Sequence, residues 1–229
     1  MQIVPTLLNQ SITEFDLQLK TLSRYFNYFQ IDIADGELVA NRTLQLEDLL
    51  IFFNQYPLKE NQLGFDFHLM VKDIGPEIRK IEQLKKIIPV RYLLLHLASL
   101  AIDQNITLPY GLVLNPNDQI VDLKERYNLA QIPAIQIMTV IPGFQGGEFI
   151  PNTLNKIEQL RYLGYRNLIL LDGGINEKSL KLILERQNKP DILCIGSYLT
   201  KLDQLEDKIN YLHQITATNN ANTEDALTS

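Results

Sequence analysis

Two apolar runs of this sequence contain polar side chains that could do chemistry. In the run QIDI at residues 30–33, Gln30 and Asp32 are two positions apart, so they share one face of a strand. In the run FDFHLMV at residues 65–71, Asp66 and His68 stand in the same relation. A carboxylate in such surroundings needs a partner or a function. Asp32 and His68 together indicate a metal site or an acid–base pair, whereas a lone histidine would more often be structural.

Glycine-rich segments follow three later apolar runs. The segment MTVIPGFQGGEF at residues 138–149 combines three glycines with Pro142 and Phe144, which give it a stiff, apolar body. This combination is typical of a mobile lid that offers backbone amides to a phosphate. Asp172 is followed directly by the pair Gly173–Gly174, and a further turn is formed by Gly196–Ser197. Such turns commonly bind phosphate through backbone amides, although a glycine pair also occurs in ordinary tight turns.

The elements that must position these residues are short apolar strands alternating with amphipathic helices. The predicted strands are Ile3–Leu8, Tyr28–Ile33, Gly64–Met70, Tyr92–Leu97, Tyr110–Leu114, Ala134–Met138, Leu168–Leu171 and Asp191–Ile195. The predicted helices are Glu14–Tyr25, Glu47–Gln55, Pro76–Ile88, Gln119–Tyr127, Asn152–Leu163 and Glu177–Arg186, with room for only a turn or a very short helix at Ser99–Gln104. This alternation indicates βα units and a parallel sheet. Eight units favour a closed (β/α)₈ barrel over residues 1–215.

A barrel would gather the polar strand ends on one face. Asp32 and Asp172 are expected on roughly opposite strands, where they would flank a ligand lying across the barrel mouth. Two carboxylates so placed suit proton removal on one face of a carbon and proton delivery on the other, which is epimerisation beside a carbonyl. The enediolate formed needs an electrophile such as a divalent metal. For Asp35, at the end of the same run, we favour a turn-capping role.

The composition limits which kinds of binding partner and which cellular compartment are expected. The formal net charge of -6 argues against a nucleic-acid or anionic-membrane partner. Nothing at the N-terminus resembles a signal peptide and no apolar run is long enough for a membrane span, so a cytoplasmic protein is expected. The single cysteine, Cys194, is expected to be a buried small hydrophobe. Residues 216–229 are rich in Asn, Thr and Ala, which predicts a disordered C-terminal tail.

The motifs resemble those of the ribulose-phosphate 3-epimerase family from about Ile3 to Leu199. The matching stretches, in family order, are PTLL at 5–8, DIADG at 32–36, VAN at 39–41, HLMV at 68–71, LNP at 114–116, MTV at 138–140 with PGF at 142–144, DGG at 172–174 and GS at 196–197. The third-strand motif HLMV is identical to that of the family, and threonine keeps the hydroxyl of the family's first-strand serine.

The resemblance implies a (β/α)₈ barrel that interconverts D-ribulose 5-phosphate and D-xylulose 5-phosphate. Two aspartates act as acid and base and hold a divalent metal (Zn, Fe, Mn, Co or Mg) with two histidines; carried over, these are Asp32 and Asp172, with His68 as one histidine and Gln30 at the place of the other. The implied substrate and phosphate contacts are Thr6, His68, Met70, Met138, Gly143, Gly146, Gly173, Gly174, Gly196 and Ser197. The family commonly forms dimers or hexamers, which implies a homo-oligomer.

Four departures from the family pattern keep alternatives open. Gln30 replaces a metal-ligand histidine, Ala34 a pocket methionine, Gly147 the last glutamine of the lid and Ala98 a fourth-strand acid. A phosphosugar-binding or regulatory homologue with impaired catalysis is therefore one alternative, although mere binding does not need two aspartates. A hexulose-phosphate synthase or a phosphate-dependent decarboxylase is another, but these relatives would have a lysine where this chain has Ala34.

Overall fold

The computed structural model describes residues 1–58, 63–100 and 106–225, and within them eight parallel strands close into a barrel in chain order. The strands are β1 Gln2–Leu7, β2 Tyr28–Ala34, β3 Gly64–Met70, β4 Val90–His96, β5 Tyr110–Leu114, β6 Ala134–Met138, β7 Leu168–Asp172 and β8 Ile192–Ile195. Each strand pairs with its neighbours in sequence, and β8 pairs with β1 to close the ring. The predicted (β/α)₈ barrel is confirmed.

Helices surround the strands on the outside. They are α1 Ile12–Leu22, α2 Leu46–Gln55, α3 Ile74–Leu84, α4 Ile120–Arg126, α5 Asn155–Tyr162, α6 Glu177–Leu184, α7 Ser197–Thr200 and α8 Leu205–Asp225. Short 3₁₀ turns lie at Leu97–Ser99, Leu129–Gln131 and Pro151–Leu154. None of these helices, within the described residues, is long and apolar enough to cross a membrane.

Side chains along each strand point alternately out of and into the barrel, and they form two separate apolar cores. Outward-facing residues such as Ile31, Ile33 and Phe67 pack against the helices in the larger core. Inward-facing residues such as Val4 and Leu170 form a smaller core inside the barrel. Because side chains alternate with a period of two, every second residue of a strand reaches the barrel interior. The polar residues Gln30, Asp32 and His68 belong to this inward set, which explains why they interrupt apolar runs.

Most predicted element bounds agree with the structure to within three residues, and the main differences lie after β4 and at the C-terminus. The expected short connection after β4 begins with the 3₁₀ turn at Leu97–Ser99, and residues 101–105 lie outside the described residues. Residues 216–229 were expected to form a disordered tail. The backbone of α8 continues as helix to Asp225, because each added residue extends a helix already anchored on the barrel by buried Ile209 and Leu212. Residues 226–229 lie outside the described residues.

Candidate active site

Three titratable side chains converge at the C-terminal ends of the strands. Asp32 on β2, His68 on β3 and Asp172 on β7 each offer a ligand atom, and these atoms lie within 4.8 Å of one another. All three residues are buried. His68 Nδ1 lies 3.1 Å from Asp32 Oδ1 and 3.6 Å from Asp172 Oδ2. The structure therefore brings together the three residues in which sequence analysis predicts acid–base and metal-binding chemistry.

Asp32 and Asp172 lie on roughly opposite strands, as expected. β2 and β7 are three positions apart in the ring of eight strands, with β1 and β8 between them. The carboxylates of Asp32 and Asp172 nevertheless meet, because both side chains point inward at the same end of the barrel. A reacting carbon that reaches this cluster would therefore have a carboxylate close to it on either side.

Two buried carboxamides hold this cluster together. Gln30 Nε2 donates to Asp32 Oδ1 at 3.1 Å and to Asp172 Oδ2 at 2.7 Å. Gln136 Nε2, from β6, donates to the same Asp172 Oδ2 at 3.0 Å. Hydrogen bonds to a charged acceptor are stronger than neutral ones, so both amides offset part of the cost of burying the carboxylates. Gln136 lies in the site although sequence analysis did not single it out.

A second histidine extends the cluster away from the aspartates. His96, at the end of β4, is buried, and its Nε2 lies 2.8 Å from His68 Nε2. The two rings stack with centroids 5.0 Å apart. One proton must lie between the two nitrogens for this contact to be a hydrogen bond, so His96 fixes the ring orientation of His68. The other ring nitrogen of His68 then faces the carboxylates.

Burial and mutual charge shift the pKa values of these groups. Burial, followed by the neighbouring charge of Asp32, raises the pKa of Asp172 to about 7. Burial opposes the charged form of His68, but Asp32 and Asp172 outweigh it and raise the pKa of His68 above its ordinary value. Burial and the neighbouring His68 lower the pKa of His96 to about 3, so His96 is neutral. Near neutral pH the cluster can therefore both accept and release a proton.

These pKa shifts predict how the stability of the metal-free protein depends on pH. The raised pKa of Asp172 means that the folded state holds a proton that the unfolded chain has released, so stability falls as pH rises from about 4 to about 7. The raised pKa of His68 acts in the same direction above its ordinary value. The lowered pKa of His96 acts in the opposite direction below about pH 6.5 and offsets Asp172 there. We therefore expect the melting temperature in chelator to fall between about pH 6.5 and about pH 8. Asp172→Asn should flatten this slope; an equally steep slope in that variant would contradict the assignment.

A narrow pocket opens above the cluster. Its walls contain Asp32, His68 and Asp172 and all the residues that sequence analysis assigns to substrate or phosphate: Thr6, Met70, Met138, Gly143, Gly146, Gly173, Gly174, Gly196 and Ser197. Gln30 lies beneath this pocket, fully buried. The Thr6 hydroxyl is buried without a hydrogen-bond partner among the described residues, which suits a group awaiting a polar ligand. The predicted substrate-binding residues therefore line one pocket, and their individual roles remain predictions.

The glycine-rich segment after β6 lies over this pocket. Gln145 Nε2 donates to the carbonyl of Thr6 at 3.3 Å, and the Thr200 hydroxyl donates to Gln145 Oε1 at 3.2 Å. A side chain at position 196 would crowd this amide, since its Cβ would lie 3.0 Å from Gln145 Nε2. Gln145 thus joins the lid to β1 and to α7.

Other polar residues from the sequence lie outside the cluster. Asp66 forms an ion pair with Arg91 on β4, with Arg91 Nε 2.9 Å from Asp66 Oδ1. It lies one inward layer below His68, toward the N-terminal end of the barrel. Asp35 caps its turn as predicted, because its carboxylate accepts from the amides of Glu37 and Leu38. Cys194 is buried, as expected.

The cluster has a donor set that fits a divalent cation. Two carboxylate oxygens and one imidazole nitrogen are ligands for Mn, Fe(II), Co or Zn, while oxygen-rich sets also suit Mg. Gln30 Oε1 is buried and has no hydrogen-bond partner among the described residues. A half-turn of the Gln30 amide would present this oxygen, in place of the NH₂ group, to the gap between the carboxylates. Gln30 can therefore serve either as a donor to the carboxylates or as a neutral oxygen ligand.

Comparison with known proteins places this site in a family. The model of the "Ribulose-phosphate 3 epimerase family" matches residues 2–200. Curated proteins named ribulose-phosphate 3-epimerase are similar over most of their length. That of Helicobacter pylori is 27% identical, covering 88% of this chain and 91% of the relative. That of Chlamydia pneumoniae is 29% identical, covering 90% and 91%. That of Synechocystis is 30% identical, covering 80% and 81%.

Solved structures support the same architecture. A variant of the tryptophan synthase alpha-subunit from Pyrococcus furiosus superposes with a TM-score of 0.60 at 14% identity, covering 91% of this chain and 96% of that one. At that identity the likeness concerns the fold alone. The match of the family model over nearly the whole barrel, with the aspartates, the histidine and the glycine turns gathered in one pocket, shows that the chain belongs to the ribulose-phosphate 3-epimerase family.

Proposed function

We propose that this protein epimerises a ketose phosphate at C3, interconverting D-ribulose 5-phosphate and D-xylulose 5-phosphate or a close analogue. The observation that carries the proposal is the meeting of Asp32 and Asp172 at the floor of the pocket. Family membership and the names of the relatives support the substrate class. A protein that only binds the sugar would have no need to bury two carboxylates within contact of one histidine, because such burial costs free energy.

The chemistry follows from the two carboxylates. One aspartate removes the C3 proton, which is acidified by the neighbouring carbonyl, and the electron pair of the C–H bond moves into an enediolate. The other aspartate returns a proton to the opposite face of C3, which inverts that centre. In the reverse reaction the two residues exchange roles. In the metal-free site, burial and the charge of Asp32 raise the pKa of Asp172 to about 7, close to the value at which a carboxyl group can both carry and accept a proton at neutral pH.

The negative charge that develops on the enediolate oxygens needs stabilisation. Asp32, His68 and Asp172 would hold a divalent ion, and that ion would supply electrophilic stabilisation of the charge, while Gln30 continues to donate to both carboxylates. His96 orients His68 from the side away from the pocket. Met70 and Met138 line the walls beside the carboxylates and exclude water from the reacting carbons.

The phosphate of the substrate is proposed to rest on backbone amides of the turns after β7 and β8. Gly173, Gly174, Gly196 and Ser197 line the pocket together with Gly146 of the lid. Within the part of the chain that the structure describes, no lysine or arginine lines this pocket. The Thr139 hydroxyl lies within hydrogen-bond distance of the carbonyls of Asp172 and Gly173, which holds the start of the turn after β7 in place.

Gly173→Ala tests this phosphate site. Gly173 has φ +111, and an added Cβ would lie 2.4 Å from Val140 Cγ2, so the turn must shift. Loss of one charge-assisted amide contact of about 1.5–3 kcal/mol should weaken ketose-phosphate binding about 10–100-fold by isothermal titration. The matched control is Gly164→Ala, which has φ +84 and no neighbouring atom within 4 Å. It carries the same kind of backbone strain and should leave binding unchanged. Equal binding in both variants would place the phosphate elsewhere.

The direct test of the function is conversion of D-ribulose 5-phosphate to D-xylulose 5-phosphate, followed by NMR with and without added Mn, Fe(II), Co, Zn or Mg. Conversion that requires a divalent ion supports the full proposal. Binding without conversion under every condition would favour the alternative, a phosphosugar-binding or regulatory homologue, which Gln30 at a ligand position leaves open. A cytoplasmic location and a homo-oligomeric state remain predictions from the sequence and the family.

A further inference from the structure

The interior of β6 contains a carboxamide in an otherwise apolar run. Gln136 lies between Ile135 and Ile137 in the sequence, and all three residues are fully buried. The two isoleucines belong to the core beneath the helices, whereas Gln136 points into the barrel. It is the same pattern that places Gln30 beside Ile31 on β2. One side-chain amide from β2 and one from β6, which are not neighbouring strands, thus contact the acidic cluster.

Both amides donate a hydrogen bond to the same carboxylate oxygen. Asp172 Oδ2 accepts from Gln30 Nε2 at 2.7 Å and from Gln136 Nε2 at 3.0 Å. Among the described residues, Asp172 Oδ1 accepts no hydrogen bond, and the side chain of Asp172 keeps 8% exposure toward the pocket. One oxygen of the carboxylate is therefore occupied by two donors, while the other is left for a ligand.

The remaining contacts of the two amides are weak. Gln30 Oε1 has no hydrogen-bond partner among the described residues. Gln136 Oε1 receives only the Cys194 thiol, at 4.0 Å, and the Gln136 amide also lies 3.5 Å from Met138 Sδ. A buried amide is unfavourable unless its polar atoms are satisfied, and here the strong bonds are those to carboxylates. The position of Gln136 is thus explained by what it does to Asp172 rather than by its own packing.

We propose that Gln136 is a positioning residue for proton transfer, acting with Gln30 to hold the Asp172 carboxylate plane so that Oδ1 faces the reacting carbon. This inference rests on the proposed epimerase function. Two donors converging from β2 and β6 prevent rotation about the Cβ–Cγ bond of Asp172, which a single donor would permit. A carboxylate that is already aligned transfers a proton without first reorganising.

Two substitutions at position 136 separate positioning from packing. Gln136→Leu keeps a similar volume and removes the donor, and Gln136→Glu keeps the shape but places a second acceptor against Asp172. We expect kcat to fall about 10–100-fold in Gln136→Leu, with KM changed less than about threefold, and to fall further in Gln136→Glu. The melting temperature of Gln136→Leu should stay near that of the wild type, since the apolar side chain offsets the loss of the hydrogen bond to Asp172. A packing role alone predicts instead that Leu is harmless.

A crystal structure of Gln136→Leu beside that of the wild type gives a readout that does not depend on turnover. We expect the Asp172 carboxylate to rotate or to show two orientations in the variant. If the wild type does not convert the ketose phosphate, the proposed function fails, and the carboxylate orientation alone decides whether Gln136 positions Asp172. If the wild type is active, a Gln136→Leu variant with kcat within about threefold of the wild type and an unchanged carboxylate plane would overturn the inference.

Discussion

Asp172→Asn should lower kcat about 10²–10⁴-fold while the barrel stays folded, and Asp32→Asn should do the same. An amide in either place keeps the shape of the side chain but cannot accept the C3 proton. Neither substitution should cost much stability, because each removes one of two negative charges that repel each other in a buried cluster. The measurement is steady-state conversion of D-ribulose 5-phosphate, with circular dichroism and thermal melting to confirm folding.

The chain offers a matched control in Asp66, a buried carboxylate of the same barrel that lies outside the pocket. Its partner is Arg91, so Asp66→Asn should lower stability by breaking an ion pair while kcat stays near that of the wild type. The site aspartates and Asp66 should therefore behave in opposite ways. Retention of more than about a tenth of wild-type kcat in Asp32→Asn or Asp172→Asn would rule out the two-aspartate mechanism.

Gln30→His should tighten the binding of Zn or Fe(II) about 10–100-fold. The structure places Gln30 in contact with both carboxylates, so an imidazole there would add a nitrogen donor to Asp32, His68 and Asp172. Nitrogen suits these borderline metals better than the neutral amide oxygen does, whereas Mg should gain little. Isothermal titration against a competing chelator measures the difference. Because the wild-type ligand set binds metal more weakly, we expect the metal to be lost on purification and activity to depend on added divalent ion.

A control for this substitution is Gln18→His, which adds an imidazole in another buried position. Gln18 lies on α1, where it bonds to Asn9 and to the carbonyl of Thr200, outside the acidic cluster. Its substitution should leave metal affinity unchanged. If Gln30→His fails to tighten Zn or Fe(II), or if it weakens metal-independent binding of the ketose phosphate, then Gln30 acts as a donor to the carboxylates or to a sugar hydroxyl and not as a ligand position.

Much of the fold could be predicted from local patterns, because each strand is an apolar run and each βα unit repeats the same alternation. The period of two also identified Gln30 and Asp32 as sharing an inward face, and the glycine turns marked Asp172. The same rule applied to β6 would have found Gln136, whose carboxamide stands between two isoleucines in the run AIQIM. Gln136 was missed because burying an uncharged amide costs less free energy than burying a carboxylate, so its position is a weaker sign of function.

Distances across the barrel could not be predicted in this way. Whether Asp32 and Asp172 face each other across a gap or meet depends on the radius and stagger of the closed sheet, which no single strand encodes. The contact between His68 and His96 likewise depends on the pairing of β3 with β4. The C-terminal helix α8 was underestimated because its last residues have no apolar period, whereas its backbone continues a helix that is anchored earlier.

The most direct test of the central claim is exchange of the C3 proton of D-ribulose 5-phosphate with solvent deuterium, followed by NMR with and without added divalent ion. The two-aspartate account predicts deuterium at C3 together with the appearance of D-xylulose 5-phosphate, and no exchange with Asp172→Asn. Tight binding of the sugar in chelator, with no deuterium at C3 under any metal condition, would contradict the epimerase account and leave the protein a phosphosugar binder.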